Sequence, residues 1–168
     1  MTSEASQPAQ VLLVLRIRGD VNTRHKAEEA LARLNLRRKH NATLIPDTPS
    51  YRGMLQGLKD YVAWCPATKE IVLQLLRQRG RTSGWRPLTE DVVRAHGFSG
   101  FEELADALAS GRVRLQDLGW MKPYFALQPP RGGYRRSIKR GAAEGGVLGR
   151  NERLLDLVSR MIRAVAKA

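Results

Sequence analysis

The sequence predicts an α+β fold: a small sheet built early, a helical region after it, and a basic tract near the end. Three observations predict it. Residues 11–65 alternate short β-branched or leucine-rich runs with amphipathic stretches in the order β-α-β-α-β. Residues 67–111 carry apolar positions at helical spacing, punctuated by caps and glycine stops. Residues 121–150 hold seven Lys or Arg against one acid, Glu144, among nine glycines and prolines. With short links and short strands, the first pattern suits half of a ferredoxin-like sandwich, its helices on one face of a small sheet.

Each element has its own signal. Val11–Arg18 reads as a strand stopped by Gly19. A helix follows from near Asn22, with Asp20, Asn22 and Thr23 as candidate caps. Ala27, Ala30, Leu31 and Leu34 form its stripe. Asn35–Asn41 is a basic connection to a second strand, Ala42–Ile45. Asp47-Thr48-Pro49 places a cap before a proline suited to the first helical position, and Tyr51, Met54, Leu55 and Leu58 line one face. Tyr61–Cys65 is the third strand, stopped by Pro66.

Residues 67–111 then read as helical throughout. Thr68–Arg79 ends at Gly80, Thr89 caps Glu90–His96, and Ser99 precedes a helix closed by Gly111. A last amphipathic helix covers Leu154–Val165. The expected organisation is a polar tail (1–10), a core (11–66), a helical region (67–120), a basic tract (121–150) and a C-terminal helix (151–168).

Composition narrows the function. At 168 residues, 42% hydrophobic and 27% charged, the chain can bury a real core. Its net charge of +13 opposes compactness through self-repulsion, so an anionic partner is expected. Arginine supplies most of it, 22 residues against 7 lysines, and guanidinium forks bind phosphate bidentately. The single Cys65 excludes an internal disulfide and a cysteine-rich zinc site. The apolar run Val11–Leu15 breaks at Arg16, too short for a signal peptide or membrane span, so a cytoplasmic location is expected.

Four segments are candidate RNA-binding sites. Arg24, His25 and Lys26 stand in the first turn of the first helix, where positive charge opposes the macrodipole by about 0.3–1 kcal/mol per charge. A bound phosphate would reverse that sign. Arg37, Arg38 and Lys39 form a basic loop, which on most proteins is only a solvated face. Gly53 and Gly57 share a face of the second helix at a cost of about 1 kcal/mol each, which either close internal packing or approach of an RNA backbone would explain. Arg52 lies on the neighbouring polar stripe.

The densest signal is Tyr124–Gly141. Pro129 and Pro130 hold an extended path, and Gly132 and Gly133 allow close approach to phosphate. Arg131, Arg135, Arg136, Lys139 and Arg140 neutralise charge, and Tyr134 offers a stacking face. A flexible loop that binds any polyanion is the plainer reading of the same residues. Glycine and like charge oppose ordering, so residues 131–149 are expected to be largely mobile without RNA.

Enzymatic patterns are missing. The sequence has no phosphate-binding loop, no dinucleotide fingerprint, no G-x-S-x-G and no metal-spaced histidine cluster. His25, His40 and His96 are scattered, and Glu102, Glu103 and Asp106 read as a solvated helix face. No catalytic residue, metal, cofactor or small-molecule substrate is expected. The competing readings are a free-standing RNA-binding or RNA-chaperone protein, a small nuclease or RNA-modifying enzyme, and a DNA-compacting protein.

Leu34-Asn-Leu-Arg-Arg-Lys-His40 followed by Asp47-Thr-Pro-Ser-Tyr-Arg-Gly-Met54 resembles the core motif of the universal large-subunit ribosomal protein family "L thirty". Pro129-Pro-Arg-Gly-Gly-Tyr134 and Glu144-Gly-Gly-Val-Leu-Gly149 resemble the C-terminal tract of its archaeal members and of the eukaryotic counterpart "L seven". The resemblance spans roughly residues 11–163. It departs at Ala126 and Gln128, where the family usually has Arg and His. Lack of a long basic N-terminal extension points to the archaeal type. The resemblance implies a non-enzymatic protein held against 23S-type rRNA in the neighbourhood of 5S rRNA, beside other large-subunit proteins.

Overall fold

The computed structural model describes residues 10–163. The expected polar tail therefore lies outside the described residues apart from Gln10, as do the last five residues of the C-terminal helix. The core elements are β1 (Val11–Arg16), α1 (His25–Arg33), β2 (Asn41–Pro46), α2 (Pro49–Gly57) and β3 (Val62–Pro66). They have the predicted order, and β1 is central, antiparallel to both β2 and β3. Thr48 caps α2, its hydroxyl accepting from the Tyr51 N–H with Pro49 at the first turn.

The helical region supplies α3 (Lys69–Arg79), α4 (Glu90–Ala95) and α5 (Phe101–Ala109). It is not helical throughout. Residues 80–89 form a loop closed by the bridges Arg81–Pro87 and Thr82–Met121. Ser83-Gly84 and Pro87 break the helical pattern there. A Cβ at Gly80 would meet Leu76 O at 2.5 Å and the Leu88 side chain at 2.9 Å, so the loop leaves α3 through a gap only glycine fills. Gly100, not Ser99, takes the cap position of α5, while the Ser99 N–H donates to the Glu103 carboxylate.

The basic tract adds three strands: β4 (Phe125–Ala126), β5 (Ser137–Gly141) and β6 (Gly146–Arg150). The six-stranded order is β4-β2-β1-β3-β6-β5, with β6 parallel to both of its neighbours. Within the 131–149 segment, Ser137–Gly141 and the residues from Gly146 on pair as strands of the sheet. Val147 and Leu148 are buried, and a Cβ at Gly146 would collide with the Arg140 backbone across the pair. Close strand approach, not phosphate, accounts for that glycine.

Helices cover both faces of the sheet, where one covered face was expected. Leu12 and Val14 of β1, with Val62 and Trp64 of β3, pack against Leu31 of α1 and Leu55 of α2. Val11, Leu13, Leu15, Ala63 and Cys65 point the other way, against Leu75 of α3, Leu104 of α5, and Leu157 and Val158 of α6 (Leu154–Arg163). The physical reason was present in the unbroken run Val11–Leu15, because a strand apolar on successive residues is buried on both sides. Burial pushes the Cys65 thiol up to about 12, which leaves it inert.

Candidate nucleic-acid interface

The end of the sheet where β1 leaves and β2 and β3 begin gathers the cationic segments. The His40 N–H donates to Arg16 O, and the Ile17 N–H donates to Tyr61 O. Arg16 organises this end. Its side chain is 2% exposed, and its guanidinium donates to Leu36 O and Arg37 O at 2.8 Å, to Arg18 O at 2.9 Å and to Asp20 Oδ1 at 2.6 Å. The carbonyls of the basic loop are thus tied inward, and the Arg37, Arg38 and Lys39 side chains are exposed. In the sequence Arg16 signals only where an apolar run ends. Its burial could not be read there.

α1 begins later than expected, at His25, and its cap residue Arg24 offers no side-chain acceptor. Asp20 is occupied by Arg16, and Thr23 Oγ1 donates to Gly19 O, so neither caps the helix. Glu28 in the first turn offsets part of the local positive charge, and His25 stands 3.3 Å from Glu29. Arg24 and Lys26 line a groove of about 610 Å³ between α1 and α2, shared with Arg18 and Gly57. Arg18 lies over the Tyr61 ring at 5.9 Å.

Gly53 and Gly57 are exposed, and a Cβ built on either meets nothing within 4 Å. Internal packing therefore does not explain them. The bare strip of helix backbone faces outward beside the groove. Arg52 is different. It lies near the start of α2, and its guanidinium is bound by both oxygens of Asp47, one at 2.8 Å. Arg52 beside Asp47 holds that carboxyl below its ordinary range. Arg52 is thereby already neutralised, and shares a separate cleft with Gln56, Trp64 and Arg150.

The tract passes beneath the same end of the sheet. The Leu127 N–H donates to His40 O. Arg160 of α6 donates to Arg131 O at 3.3 Å and Gly133 O at 3.0 Å, which pins the stretch after the buried Pro130. Gly132 and Gly133 have φ of +77° and +73°, so conformation requires glycine at both whatever binds outside. Arg131, Arg135, Arg136, Lys139 and Arg140 are exposed, the last two on β5.

Tyr134 does not present a free stacking face. It is partly buried, its hydroxyl hydrogen-bonds His40 Nδ1 at 2.9 Å, and the two rings stack with centroids 6.1 Å apart. Burial pushes its hydroxyl up to about 12. Tyr134 latches the tract to the basic loop, joining residues 94 apart in sequence.

Burial, then the neighbouring Lys39, lowers the His40 pKa below its ordinary 6.5. The unfolded chain therefore takes up this proton first as pH falls. Stability is expected to decline as pH drops below about 6.5, and to level off once folded His40 also protonates. Thermal melts between pH 7.5 and 5 check this, and the decline should vanish in His40→Gln.

One aromatic residue, Trp85, carries no signal in the sequence pattern. It shares a cleft with Tyr124, at the start of the dense basic stretch, and with Arg37, Arg38 and Lys122. Among the described residues no helix is long and apolar enough to cross a membrane, and no group of histidines, cysteines or acids could hold a metal ion.

Comparison with known proteins agrees with the resemblance in the motifs. Residues 12–62 match the family described as ribosomal protein L30p/L7e. Three archaeal proteins, each named large ribosomal subunit protein uL30, are similar over most of their length. That of Cenarchaeum symbiosum is 42% identical over 92% of this chain and 99% of its own. That of Thermofilum pendens is 44% identical over 89% and 97%, and that of Korarchaeum cryptofilum 43% over 90% and 95%. Identity at this level, over about nine-tenths of the chain, places the chain in the ribosomal protein L30p/L7e family, whose members are structural proteins and not enzymes.

Proposed function

We propose that the chain is a structural constituent of the large ribosomal subunit that binds and stabilises 23S-type rRNA, near 5S rRNA and neighbouring subunit proteins, in the cytoplasm. The observation that carries this reading is the convergence of exposed cations from the β1 exit, α1, the 36–40 loop and the tract on one end of the sheet. Phosphates of a folded RNA would be neutralised by several short chain segments at once, and ion release would make affinity steeply salt-dependent. In this reading the core (11–66) and the tract (121–150) bind RNA, while the helices of 67–120 brace the sheet from behind. Shape and 2′-hydroxyls then govern recognition more than base edges do.

Sedimentation of native extract through a sucrose gradient, with and without a high-salt wash, tests the proposal. Near-stoichiometric presence in the large-subunit peak is expected. Absence from that peak, or complete loss at modest salt, would instead favour a free-standing RNA-binding protein.

The bare face of α2 gives a sharper check. Gly53→Ala and Gly57→Ala meet open space, so each is expected to raise the stability of the free protein by about 0.5–1 kcal/mol through helix propensity. If RNA backbone approaches this strip, the same changes weaken rRNA binding. Opposite signs in a melt and a filter-binding titration are the expected result.

A further inference from the structure

We propose that the cleft between the 36–41 segment and the 80–89 loop receives one unstacked nucleobase of the bound RNA, stacked on Trp85. This rests on the rRNA-binding reading above and specifies one interaction within it. Trp85 is 52% exposed and adopts φ +64°, a left-handed conformation that favours glycine. The loop carrying it is not loose. Thr82 N–H donates to Arg86 O, Trp85 N–H to Thr82 O and Ser83 N–H to Trp120 O, all within 3.0 Å. An indole held out into water by a well-tied loop at an unfavoured backbone angle calls for an external partner.

The surroundings name the partner's chemistry. Tyr124 meets the indole edge-to-face at 6.0 Å, and the Lys122 ammonium stands 5.6 Å from its ring centre. Arg37 and Arg38 line the opposite wall, their loop fixed from beneath by Arg16. Asn41, 7% exposed, also lines the cleft and brings a polar amide to it. The cleft holds about 470 Å³, within the range of sites for small planar ligands. A π-face, a polar amide and three lining cations together match a base flanked by phosphates. An apolar side chain of a neighbouring protein would use the indole but leave the lining cations without a counter-charge.

The test compares Trp85→Leu and Trp85→Phe with the unaltered chain, using transcribed large-subunit rRNA in filter binding at several salt concentrations. Stacking predicts that Trp85→Leu weakens binding by about 5- to 150-fold, with the salt dependence unchanged. Trp85→Phe, which keeps a ring, recovers most of the loss. Quenching of indole emission on adding RNA is expected in the unaltered chain and reduced in Trp85→Phe, which assigns the quench to position 85. Melts of both variants matching the parent exclude a folding defect. Unaltered affinity of Trp85→Leu overturns the proposal, as does a Trp85→Leu chain that binds rRNA normally but is lost from assembled subunits, since the occupant is then a protein. Failure of the parent chain to bind rRNA at any salt is a different result, because it removes the underlying reading as well.

Discussion

Arg16→Met is expected to destabilise the free protein by about 2–5 kcal/mol, since three carbonyls lose a charged donor; a buried acceptor left unmade costs about 1–3 kcal/mol and a part-buried one less. The carbonyls are those of Leu36 and Arg37, both 2.8 Å from the guanidinium, and of Arg18 at 2.9 Å; the Leu36 bond is the buried one. Methionine fills the volume and removes the buried charge, which keeps the loss below that of leaving a charge stranded. Arg16→Lys should recover little. An ammonium is a compact donor and does not span the acceptors that a planar fork reaches together. Urea denaturation checks the size of the effect through a lower midpoint at unchanged slope. Hydrogen exchange of the 36–40 amides, and of His40 in particular, should rise beyond the global change, because Arg16 anchors this loop directly.

The second large effect concerns binding. Arg37→Gln, Arg38→Gln and Lys39→Gln combined are expected to lower the magnitude of the log K against log salt slope by roughly 2–3, at about 0.7–0.9 for each phosphate no longer neutralised. Between 50 and 200 mM salt, the parent's affinity would then fall roughly 20- to 40-fold further than the variant's. All three side chains are exposed, so the variant should melt close to the parent. Arg52→Gln is the contrasting change. Its guanidinium is held by Asp47 and lies in a separate cleft, so its removal should leave the salt slope nearly unaltered. A slope that falls equally for both would mean that binding senses net charge and not this end of the sheet.

Much of the core is legible from local pattern. The apolar run of β1, the cap-proline signal at Thr48-Pro49 and the stripe of α3 all report short-range physics: side-chain period, capping and backbone restriction. The candidate cations are also legible as types, because phosphate neutralisation needs Lys and Arg wherever they stand. Legibility fails where the partner is distant in sequence. Gly146–Arg150 reads as glycine-rich tract, and only its pairing with Ala63 and Trp64 of β3 makes it a strand. The 80–89 loop carries its own turn residues, Gly80, Ser83-Gly84 and Pro87, but its closure against Met121 is a tertiary fact. Tyr134 reads as a stacking platform, and its engagement by His40 is a tertiary fact.

Sequence alone specifies the family motifs, the order of the core elements and the need for an anionic partner, since periodicity, caps and net charge are properties of neighbouring residues or of the whole sum. Only the closed fold settles which cations share a surface, that Arg16 is buried while Arg37 is exposed, that Gly53 and Gly57 face open space, and that Trp85 meets Tyr124 and Lys122. Those outcomes depend on long-range closure of the sheet, where one register brings together residues tens of positions apart and leaves others of identical type on opposite ends.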